Sequence, residues 1–371
     1  METQPYHWHE ISQSTDDTAL DTSKAYAIFG DCVATDLLET SNDPSDLEHG
    51  GWWAVAQTFE GKFQAFRFAT VRQLVDLSIP EASISFADPW QSSMSKDQYV
   101  SGVNAIRADI ARGWVYQVNL CRVLTRTLHQ PIDPAGLWQA LNRGNPAPHG
   151  GALFIPATPS EAAVRISSFS PELFLRREEQ SLLSSPIKGT ATSDTELLEK
   201  DTAENIMIVD LIRNDFSHIA QSGTVRVTEL LRVEPHPGLV HLVSDVVCQV
   251  RPNTSWIEIL EAMTPPGSVS GAPKSSALEV IQRIETVDRG IYCGAFGWID
   301  TTQNTAQLAV GIRTFWQTVV ESDTADTSSV LHFGTGAGIT WGSDPIQEWR
   351  ETELKSAKLF ALLEELAGSR P

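Results

Sequence analysis

The sequence predicts an α+β fold in which large antiparallel β-sheets are layered with helices, and three observations lead to this prediction. Many segments are rich in β-branched and aromatic residues, while several others repeat their apolar residues at helical spacing. The two kinds of segment do not alternate strictly, as they would in a nucleotide-binding fold with a parallel sheet. The 371 residues are 41% hydrophobic, which is enough for one large domain or two ordinary ones.

Local patterns predict the elements of the first half of the chain. Ser95 has the position of an N-cap for a helix whose apolar residues recur every three or four positions until Gly113. The strand predicted at residues 116–120 places Gln117 and Asn119 on one face, where two amides are able to line a site. Further strands are predicted at residues 25–29, 52–56, 152–155, 163–169 and 173–176, and a helix at residues 137–141.

The second half of the chain contains the helix that matters most. Ser193 and Glu196 have the spacing of a capping box, and the helix that follows carries Asp201 and Glu204 on the same face as core residues. A carboxylate that lies near a core needs a partner. Further strands are predicted at residues 225–231, 241–250, 295–299, 307–315 and 330–334, and helices at residues 256–263, at residues 275–284 and after an N-cap at Ser343.

Composition and charge exclude several classes of function. The chain has 47 acidic and 27 basic residues, and a net charge of -20 disfavours binding to nucleic acid or to an anionic membrane surface. The four cysteines include no C-x-x-C pair, which argues against a zinc site or a disulfide framework and suits a reducing compartment. The start lacks a basic region with an apolar run, and no stretch reaches about 18 apolar residues. We therefore expect a cytoplasmic protein without a nucleic-acid or membrane partner.

Three ionisable residues are candidates for catalysis, although each has an ordinary structural explanation. Lys188 lies between Pro186 and Gly189, where most lysines are exposed loop residues, but burial would favour its neutral amine, which is a nucleophile. Glu172 is either a charge at a strand edge or a general acid whose pKa is raised by desolvation. His241 is as readily a satisfied core histidine as a functional residue.

Two pairs of acidic residues predict a metal site. Asp201 and Glu204 share one predicted helix, and Glu348 and Glu351 share another. Each residue alone is an ordinary acid of a helix surface. Two such pairs together form a hard oxygen site, which suits Mg²⁺.

Three features are suited to binding an anion. Arg313, on an otherwise apolar predicted strand, is able to bind a carboxylate, although a structural ion pair explains it nearly as well. Lys355 follows Glu351 by one helical turn. The turn at residues 264–274 is rich in glycine and proline and leads into a helix N-terminus, but its spacing is not that of a nucleotide P-loop.

Taken in order, seven motifs resemble those of the chorismate-utilising enzymes. The resemblance covers roughly residues 90–362, and as an ordered set the motifs are highly specific. The motifs are Ser170-Pro171-Glu172-Leu173-Phe174, Pro186-Ile187-Lys188-Gly189-Thr190, the run from Ala203 to Asp215, Gly271-Ala272-Pro273-Lys274, Tyr292-Cys293-Gly294, Ile312-Arg313-Thr314 and Glu351-Thr352.

Two positions relate the sequence to one branch of this family. In the isochorismate- and salicylate-forming members a lysine that activates water stands in the place of Gln117, whereas a glutamine is similar to the ammonia-using members. In anthranilate synthases the position of Lys188 is typically alanine, whereas lysine is typical of the aminodeoxychorismate-forming branch. The resemblance therefore implies a transferase that makes 4-amino-4-deoxychorismate for para-aminobenzoate and folate synthesis.

The same resemblance implies roles for the candidate residues. Lys188 would attack C2 of chorismate as the C4 hydroxyl leaves, with Glu172 as the acid, and ammonia would then expel the lysine. His241 matches a histidine of the family's pocket. Mg²⁺ would hold the ring carboxylate of chorismate, and its implied ligands are Glu204 and Glu351, supported by Asp201 and Glu348. The residues implied in substrate binding are Gln117, Gly189, Thr190, Ser270, Tyr292, Arg313, Gly336, Gly338 and Lys355.

The chain departs from the family pattern in two respects. Residues 1–90 look like a shortened N-terminal part of the sheet scaffold, and residues 91–371 form the catalytic region. Neither a glycine-flanked cysteine nor a His-x-Glu partner of a glutaminase is present, so we expect the ammonia to be free or to come from a separate glutamine amidotransferase subunit. The alternatives are an anthranilate synthase, against which Lys188 argues, and a non-catalytic scaffold protein, against which the complete set of candidate residues argues.

Overall fold

A computed structural model describes residues 19–74, 77–191, 199–236, 239–320 and 328–368. Within these residues the chain forms eighteen strands and six α-helices. The strands are β1 (Tyr26–Phe29), β2 (Cys32–Ser41), β3 (Trp52–Gln57), β4 (Phe63–Gln73), β5 (Gln91–Ser92), β6 (Gln117–Leu128), β7 (Gly151–Ile155), β8 (Val164–Ser168), β9 (Leu173–Glu178), β10 (Ser181–Ser185), β11 (Ile187–Ala191), β12 (Arg226–His236), β13 (Leu239–Gln249), β14 (Gly271–Ala272), β15 (Ala295–Asp300), β16 (Thr305–Val310), β17 (Thr314–Val320) and β18 (Ser328–Ile339). The helices are α1 (Lys96–Ala111), α2 (Pro134–Gly144), α3 (Glu199–Ser217), α4 (Trp256–Met263), α5 (Lys274–Ile284) and α6 (Pro345–Gly368).

The strands form one continuous antiparallel ladder. Its order is β6, β18, β17, β8, β7, β1, β2, β4, β3, β15, β16, β9, β10, β13 and β12. The short strands β14 and β5 also pair with β6, and β11 pairs with β13. The predicted α+β class with a large antiparallel sheet is therefore confirmed.

Two helices begin at the N-caps or bounds that the sequence predicted. Ser95 caps α1 with a capping box, and the apolar stripe of Tyr99, Val103 and Ile106 is buried. The helix predicted at residues 256–263 is α4, and Ser255 caps it in the same way. The capping box predicted at Ser193 and Glu196 lies outside the described residues. The last helix is capped by Asp344 and not by Ser343, because Asp344 accepts hydrogen bonds from two backbone N–H groups of the first turn.

One strand prediction was wrong in a way that affects the site. Residues 307–315 are not a single strand, because β16 ends at Val310 and β17 begins at Thr314. At Gly311 a side chain would collide with the backbone of Ile291, and Arg313 has a positive φ of 51°. The chain therefore turns at residues 311–313, and Arg313 lies at this break and not within a strand.

Two long strands near the start, β2 and β4, were not predicted. They pair with each other, and the ion pair of Glu39 with Arg67 at 2.8 Å joins them across the sheet. The pairing shifts register between Leu37 and Glu39, and a shift of this kind interrupts the strict period of two that sequence patterns detect. The division of the chain near residue 90 stays a prediction.

A buried ion pair joins β6 to the turn before β14. The guanidinium of Arg289, which is 1% exposed, donates to both carboxylate oxygens of Glu285 at 2.6 and 2.8 Å. It also donates to the carbonyls of Val269 at 2.9 Å and Asn119 at 2.7 Å. Glu285 accepts a further bond from the backbone N–H of Cys121 at 2.8 Å. Two distant segments are thus fixed to each other by one cluster of hydrogen bonds.

None of the helices in the described part of the chain is both long and apolar enough to cross a membrane. The four cysteines are free and buried. Cys293 lies in a core cluster, as expected for a small apolar residue.

Arg289→Met should lower the free energy of unfolding by about 3 to 5 kcal/mol, because it leaves the carboxylate of Glu285 buried without its countercharge. Chemical denaturation followed by circular dichroism measures this change. The matched control is Arg112→Met, since Arg112 is 69% exposed and its partner Asp109 keeps a second ion pair with Arg283. The control should lose no more than about 1 kcal/mol, and an equally small loss for Arg289→Met would contradict the importance of the cluster.

Candidate active site

The two ends of the strand ladder meet at the candidate site. From one end, β11 brings Lys188, and from the other, β6 brings Gln117. Two elements connect these ends. One is the turn that contains Ser268, and the other is helix α3. Contacts between residues about 80 positions apart, such as those of Lys188 with Ser268 and Gln117 with Glu204, define the cleft.

Lys188 and Glu172 face each other across Ser268. The Nζ of Lys188 donates to the backbone carbonyl of Ser268 at 2.7 Å, while the hydroxyl of Ser268 bonds to the carboxyl group of Glu172. Gly189, with a φ of 72°, forms a bulge in the pairing of β11 with β13. Because bulges re-aim neighbouring side chains, this bulge fixes the direction of Lys188.

Glu172 has the environment of a proton donor. It is 4% exposed, and burial raises the pKa of its carboxyl group above the ordinary value. The charge of Lys188, the hydroxyl of Ser268, the backbone N–H of Ile187 and the charge of Lys355 each oppose this rise without cancelling it. A buried carboxyl group with a raised pKa is suited to general acid catalysis.

The helix α3 is fixed to β13 by one buried amide, and this places Glu204. Asn205 is fully buried, donates to the carbonyl of Leu242 at 3.0 Å and accepts a bond from the hydroxyl of Ser244 at 2.5 Å. Glu204 precedes Asn205 in the chain, and its carboxylate lies 3.5 Å from the Nε2 of Gln117. Asp201 lies one helical turn earlier and is half-buried.

A glycine in β18 makes room for this contact. A Cβ atom at Gly338 would overlap the Nε2 of Gln117 and would lie 3.4 Å from the Oε2 of Glu204. Gln117 is 2% exposed, and its amide oxygen accepts no hydrogen bond from the described residues. A buried amide oxygen of this kind is available to a ligand that donates a hydrogen bond.

Lys355 lies among the acidic residues. Its Nζ contacts the Oε1 of Glu351 at 2.7 Å and donates to the carbonyl of Gly336 at 3.0 Å. Burial lowers the pKa of Lys355, but the carboxylates of Glu351, Glu204 and Glu348 outweigh this effect, and the net pKa is raised. Three carboxylates, one from α3 and two from α6, therefore act on the same ammonium group.

The acids of the site have donor atoms that suit a divalent cation, but their arrangement does not. Carboxylate oxygens are the ligands that Mg²⁺ prefers. Among the residues that the structure describes, however, no three histidine, cysteine or acidic side chains are arranged to hold an ion. Lys355 instead provides the positive charge beside Glu351. The described acids supply suitable donor atoms, but their present arrangement is not that of a metal site.

Arg313 is a second cation, and its backbone lies close to the segment of Glu172. Its backbone carbonyl accepts a bond from the N–H of Phe169 at 3.0 Å, which places it beside the turn that leads to Glu172. Its side chain is half-buried, and burial lowers the pKa of its guanidinium. Within the described chain it has no acidic partner, so the structural ion pair considered from the sequence is not present. Arg313 is therefore suited to binding an anion.

The remaining candidates lie on β13, in the turn before β14 and against β18. His241 is buried on β13, where it pairs with Thr190 of β11, whose side chain lies outside the described residues. The hydroxyl of Ser270 donates to the carbonyl of Pro266 at 3.1 Å, within the turn itself. Tyr292 is buried, and its ring packs directly against Gly334 of β18.

Sequence reasoning missed two contributors to the site. Ser268 had no signal beyond its position in a turn rich in hydroxyl groups, yet it contacts both Lys188 and Glu172. Lys274 forms an ion pair with Asp215 of α3 at 2.7 Å, and this pair ties α5 to α3. Burial raises the pKa of Asp215, although Lys274 opposes the rise. The motifs contain both residues, but only their contact shows what they do.

Comparison with known proteins agrees with the resemblance seen in the sequence. Residues 58–361 match the family model described as chorismate binding enzyme. The chain is 33% identical to aminodeoxychorismate synthase component 1 of Klebsiella aerogenes over 76% of its length and 61% of that protein. It is 32% identical to anthranilate synthase component 1 of Aquifex aeolicus over 78% of its length and 57% of that protein. The chain thus spans about three fifths of the length of these relatives.

Solved structures show the same fold. The menaquinone-specific isochorismate synthase of Escherichia coli superposes with a TM-score of 0.73 at 19% identity, covering 95% of this chain and 92% of that one. Anthranilate synthase component I of Streptococcus pneumoniae superposes with a TM-score of 0.69 at 20% identity, covering 96% and 95% of the two chains.

Glu172→Gln should make the fold more stable than the wild type at alkaline pH, and the difference should vanish as the pH falls below about 4. The folded-state pKa of Glu172 is raised, so the wild type loses stability as the pH rises through it, whereas glutamine does not titrate. Thermal unfolding measured across this pH range tests the prediction. The control is Glu279→Gln, an exposed acid of α5, which should change little at any pH. A constant offset between Glu172→Gln and the wild type would contradict the raised pKa.

Proposed function

The chain belongs to the chorismate binding enzyme family, and from this premise we propose that it acts as the synthase component of an aminodeoxychorismate synthase. In this proposal it converts chorismate and ammonia to 4-amino-4-deoxychorismate and water, for para-aminobenzoate and folate synthesis. The observation that carries the proposal is the meeting of Lys188 and Glu172 at Ser268. An amine and a buried carboxyl group side by side are a nucleophile and an acid.

The first step forms a covalent bond to the enzyme. The ammonium of Lys188 gives a proton to the carboxylate of Glu172, which burial disposes to accept it. The free amine attacks C2 of chorismate, the double bonds of the ring shift, and the C4 hydroxyl leaves as water with the proton from Glu172. The new C–N bond replaces the broken C–O bond, and Glu172 then takes the extra proton from the bound amine.

The second step reverses the first with a different nucleophile. Ammonia attacks C4, the double bonds shift back, and the C2–N bond to Lys188 breaks as Glu172 returns its proton to the leaving amine. The net reaction exchanges a hydroxyl group for an amino group without any oxidation. The carbonyl of Ser268, 2.7 Å from the Nζ of Lys188, keeps the amine in position through both steps.

Cations of the cleft hold the substrate carboxylates in this mechanism. Arg313 lacks an acidic partner among the described residues and receives one carboxylate. Lys355, beside the carbonyl of Gly336, faces the same cleft. In this proposal Tyr292, Ser270, Gly189 and Gly338 shape the walls, and His241 lies on β13 beside Thr190 of β11.

Magnesium is the cofactor that we propose. Glu204 and Glu351 would hold it, supported by Asp201 and Glu348. The charges of Glu204, Glu348 and Glu351 all act on Lys355, and Asp201 lies one helical turn before Glu204. When bound, the ion neutralises the ring carboxylate of chorismate and offsets the negative charge of the site.

The amide of Gln117 is evidence that the second nucleophile is ammonia and not water. Its buried oxygen accepts no bond from the described chain and has no proton-accepting charge with which to activate water. The aminodeoxychorismate and anthranilate synthase relatives carry the name component 1, which suggests that a separate glutamine amidotransferase subunit supplies the ammonia.

A second candidate function is that of an anthranilate synthase component, because relatives of that name match almost as well. Anthranilate formation requires loss of pyruvate after amination. The presence of Lys188 against Ser268 weighs against it, since an amine in that position is suited to forming an adduct.

Incubation of the purified chain with chorismate, Mg²⁺ and ammonium at alkaline pH, followed by mass spectrometry, tests the proposal. We expect aminodeoxychorismate, which an added aminodeoxychorismate lyase converts to para-aminobenzoate. Lys188→Ala should lower the rate at least about 100-fold, since it removes the nucleophile, while leaving the circular dichroism spectrum unchanged. Intact-protein mass spectrometry of the wild type with chorismate alone should detect an adduct with the mass of chorismate less one water.

Anthranilate as the product would instead favour the second candidate function. An unchanged rate for Lys188→Ala would exclude the covalent role of Lys188 even if aminodeoxychorismate is formed.

Gly338→Ala should lower kcat/KM about 100-fold, because the added methyl group displaces the amide of Gln117 and the carboxylate of Glu204. Steady-state kinetics with ammonium as the nitrogen source measure the effect. The matched control is Gly342→Ala, where a Cβ atom would meet nothing within 4 Å. Similar kinetics for both variants would show that Gln117 and Glu204 do not need their present positions.

A further inference from the structure

A cavity of about 390 Å³ lies between helix α4 and the turn that joins β3 to β4. Its floor contains Gln57, Phe63 and Leu260, each of which is less than a tenth exposed. Its rim contains exposed residues, among them Lys62 and Glu261. Ligand sites in proteins span about 300 to 1,000 Å³, so this cavity suits a small molecule with a single ring.

The floor of the cavity contains a buried acceptor. The Oε1 of Gln57 has no hydrogen-bond partner among the described residues, although the residue is only 8% exposed. Thr264 fixes the orientation of this amide: its hydroxyl donates to the carbonyl of Leu260 at 2.6 Å, and therefore accepts from the Nε2 of Gln57 at 3.3 Å. Because buried acceptors are normally paired, a molecule in the cavity, water or ligand, has to supply the donor.

The floor favours a neutral donor over a charged one. Phe63 and Leu260 give the floor an apolar surface beside Gln57. Among the described residues that line the cavity, Glu261 is the one acid, and it is exposed at the rim. An alkyl ammonium group would lose its hydration at the floor without gaining a carboxylate, which is costly. An aryl amine or a phenol is uncharged at neutral pH and donates a hydrogen bond without this cost.

The rim favours a single negative charge at the outer end of the ligand. The exposed ammonium group of Lys62 is a partner for a carboxylate. The carboxylate of Glu261 repels a second negative charge, and so disfavours a dianion such as chorismate. A molecule with one carboxylate and a neutral donor at its opposite end meets both conditions.

We propose that this cavity binds a small aromatic monocarboxylate whose amino or hydroxyl group, opposite the carboxylate, donates to the Oε1 of Gln57. The ring lies against Phe63 and Leu260, and the carboxylate lies at Lys62. The cavity adjoins the segment that leads to the candidate active site, because Thr264 ends α4 four positions before Ser268. The inference goes beyond the proposed function and does not rest on it.

Isothermal titration of the full chain with para-aminobenzoate, para-hydroxybenzoate and benzoate tests the inference. Benzoate has the ring and the carboxylate but lacks the donor. It should therefore bind about fivefold more weakly than at least one of the other two compounds, which is the usual gain from one hydrogen bond. The comparison of the amino and hydroxyl compounds identifies the donor that the site prefers.

Two variants locate the binding. Gln57→Met removes the acceptor at similar side-chain length, so the three compounds should bind equally, and Thr264 keeps its bond to Leu260. Lys62→Met should weaken all three compounds about threefold, because an exposed countercharge is lost. The matched control is Lys358→Met, which removes an exposed lysine of α6 and should leave every Kd unchanged.

Four outcomes would overturn the inference. The first is equal binding of all three compounds to the wild type, since water would then satisfy Gln57. The second is unchanged affinity in both Gln57→Met and Lys62→Met, which would place the binding elsewhere. The third is an equal loss in Lys358→Met, which would indicate a general effect of charge, and the fourth is no measurable binding of any compound. The titrations contain no chorismate, so their result is independent of the proposed function.

Discussion

The position of the whole site depends on the buried pair of Arg289 and Glu285. One guanidinium satisfies two carboxylate oxygens and two backbone carbonyls, and these carbonyls belong to β6 and to the turn before β14. A buried charge is tolerated only when its hydrogen bonds are made. We therefore expect the hydrogen bonds of Arg289 to form together or not at all. It fixes the segment of Gln117 relative to the segment of Ser268, and every other contact of the cleft builds on this geometry.

Local charge, and not net charge, governs what the cleft attracts. The chain carries a net charge of -20, yet the ammonium groups of Lys188 and Lys355 lie at the candidate site. Charges beyond about 8 Å are largely screened in water at physiological salt, whereas those within the cleft act directly on a ligand. An acidic protein is therefore able to bind a dianion, while its remaining surface still disfavours polyanions.

Two acidic residues of the site differ in how deeply they are buried. Glu172 is nearly inaccessible, and its raised pKa suits a proton donor, whereas Glu351 is 43% exposed and contacts the ammonium of Lys355. Two glutamates of one cleft thus have different surroundings, one buried and one beside an ammonium group. The same contrast of environments assigns acids and bases in many enzymes.

The sequence by itself determined what depends on neighbours within a few positions. Helix α1 was predictable because Ser95, its capping box and its apolar stripe lie within sixteen residues or so. The candidate lysine, the acid pairs and the family could likewise be found, since short motifs carry them. The cross-strand pair of β2 and β4 and the break at Arg313 could not, because distant segments impose both.

Only the tertiary structure decided how the candidate residues act on one another. Nothing near Lys188 in the sequence indicates Ser268, and nothing near Glu351 indicates that Glu204 shares its ammonium partner. These contacts join residues that the strand ladder brings together after long intervals of chain. Residue type and spacing determined which chemistry was possible, whereas burial and distance, which depend on the packed fold, decided which groups are charged and what they touch.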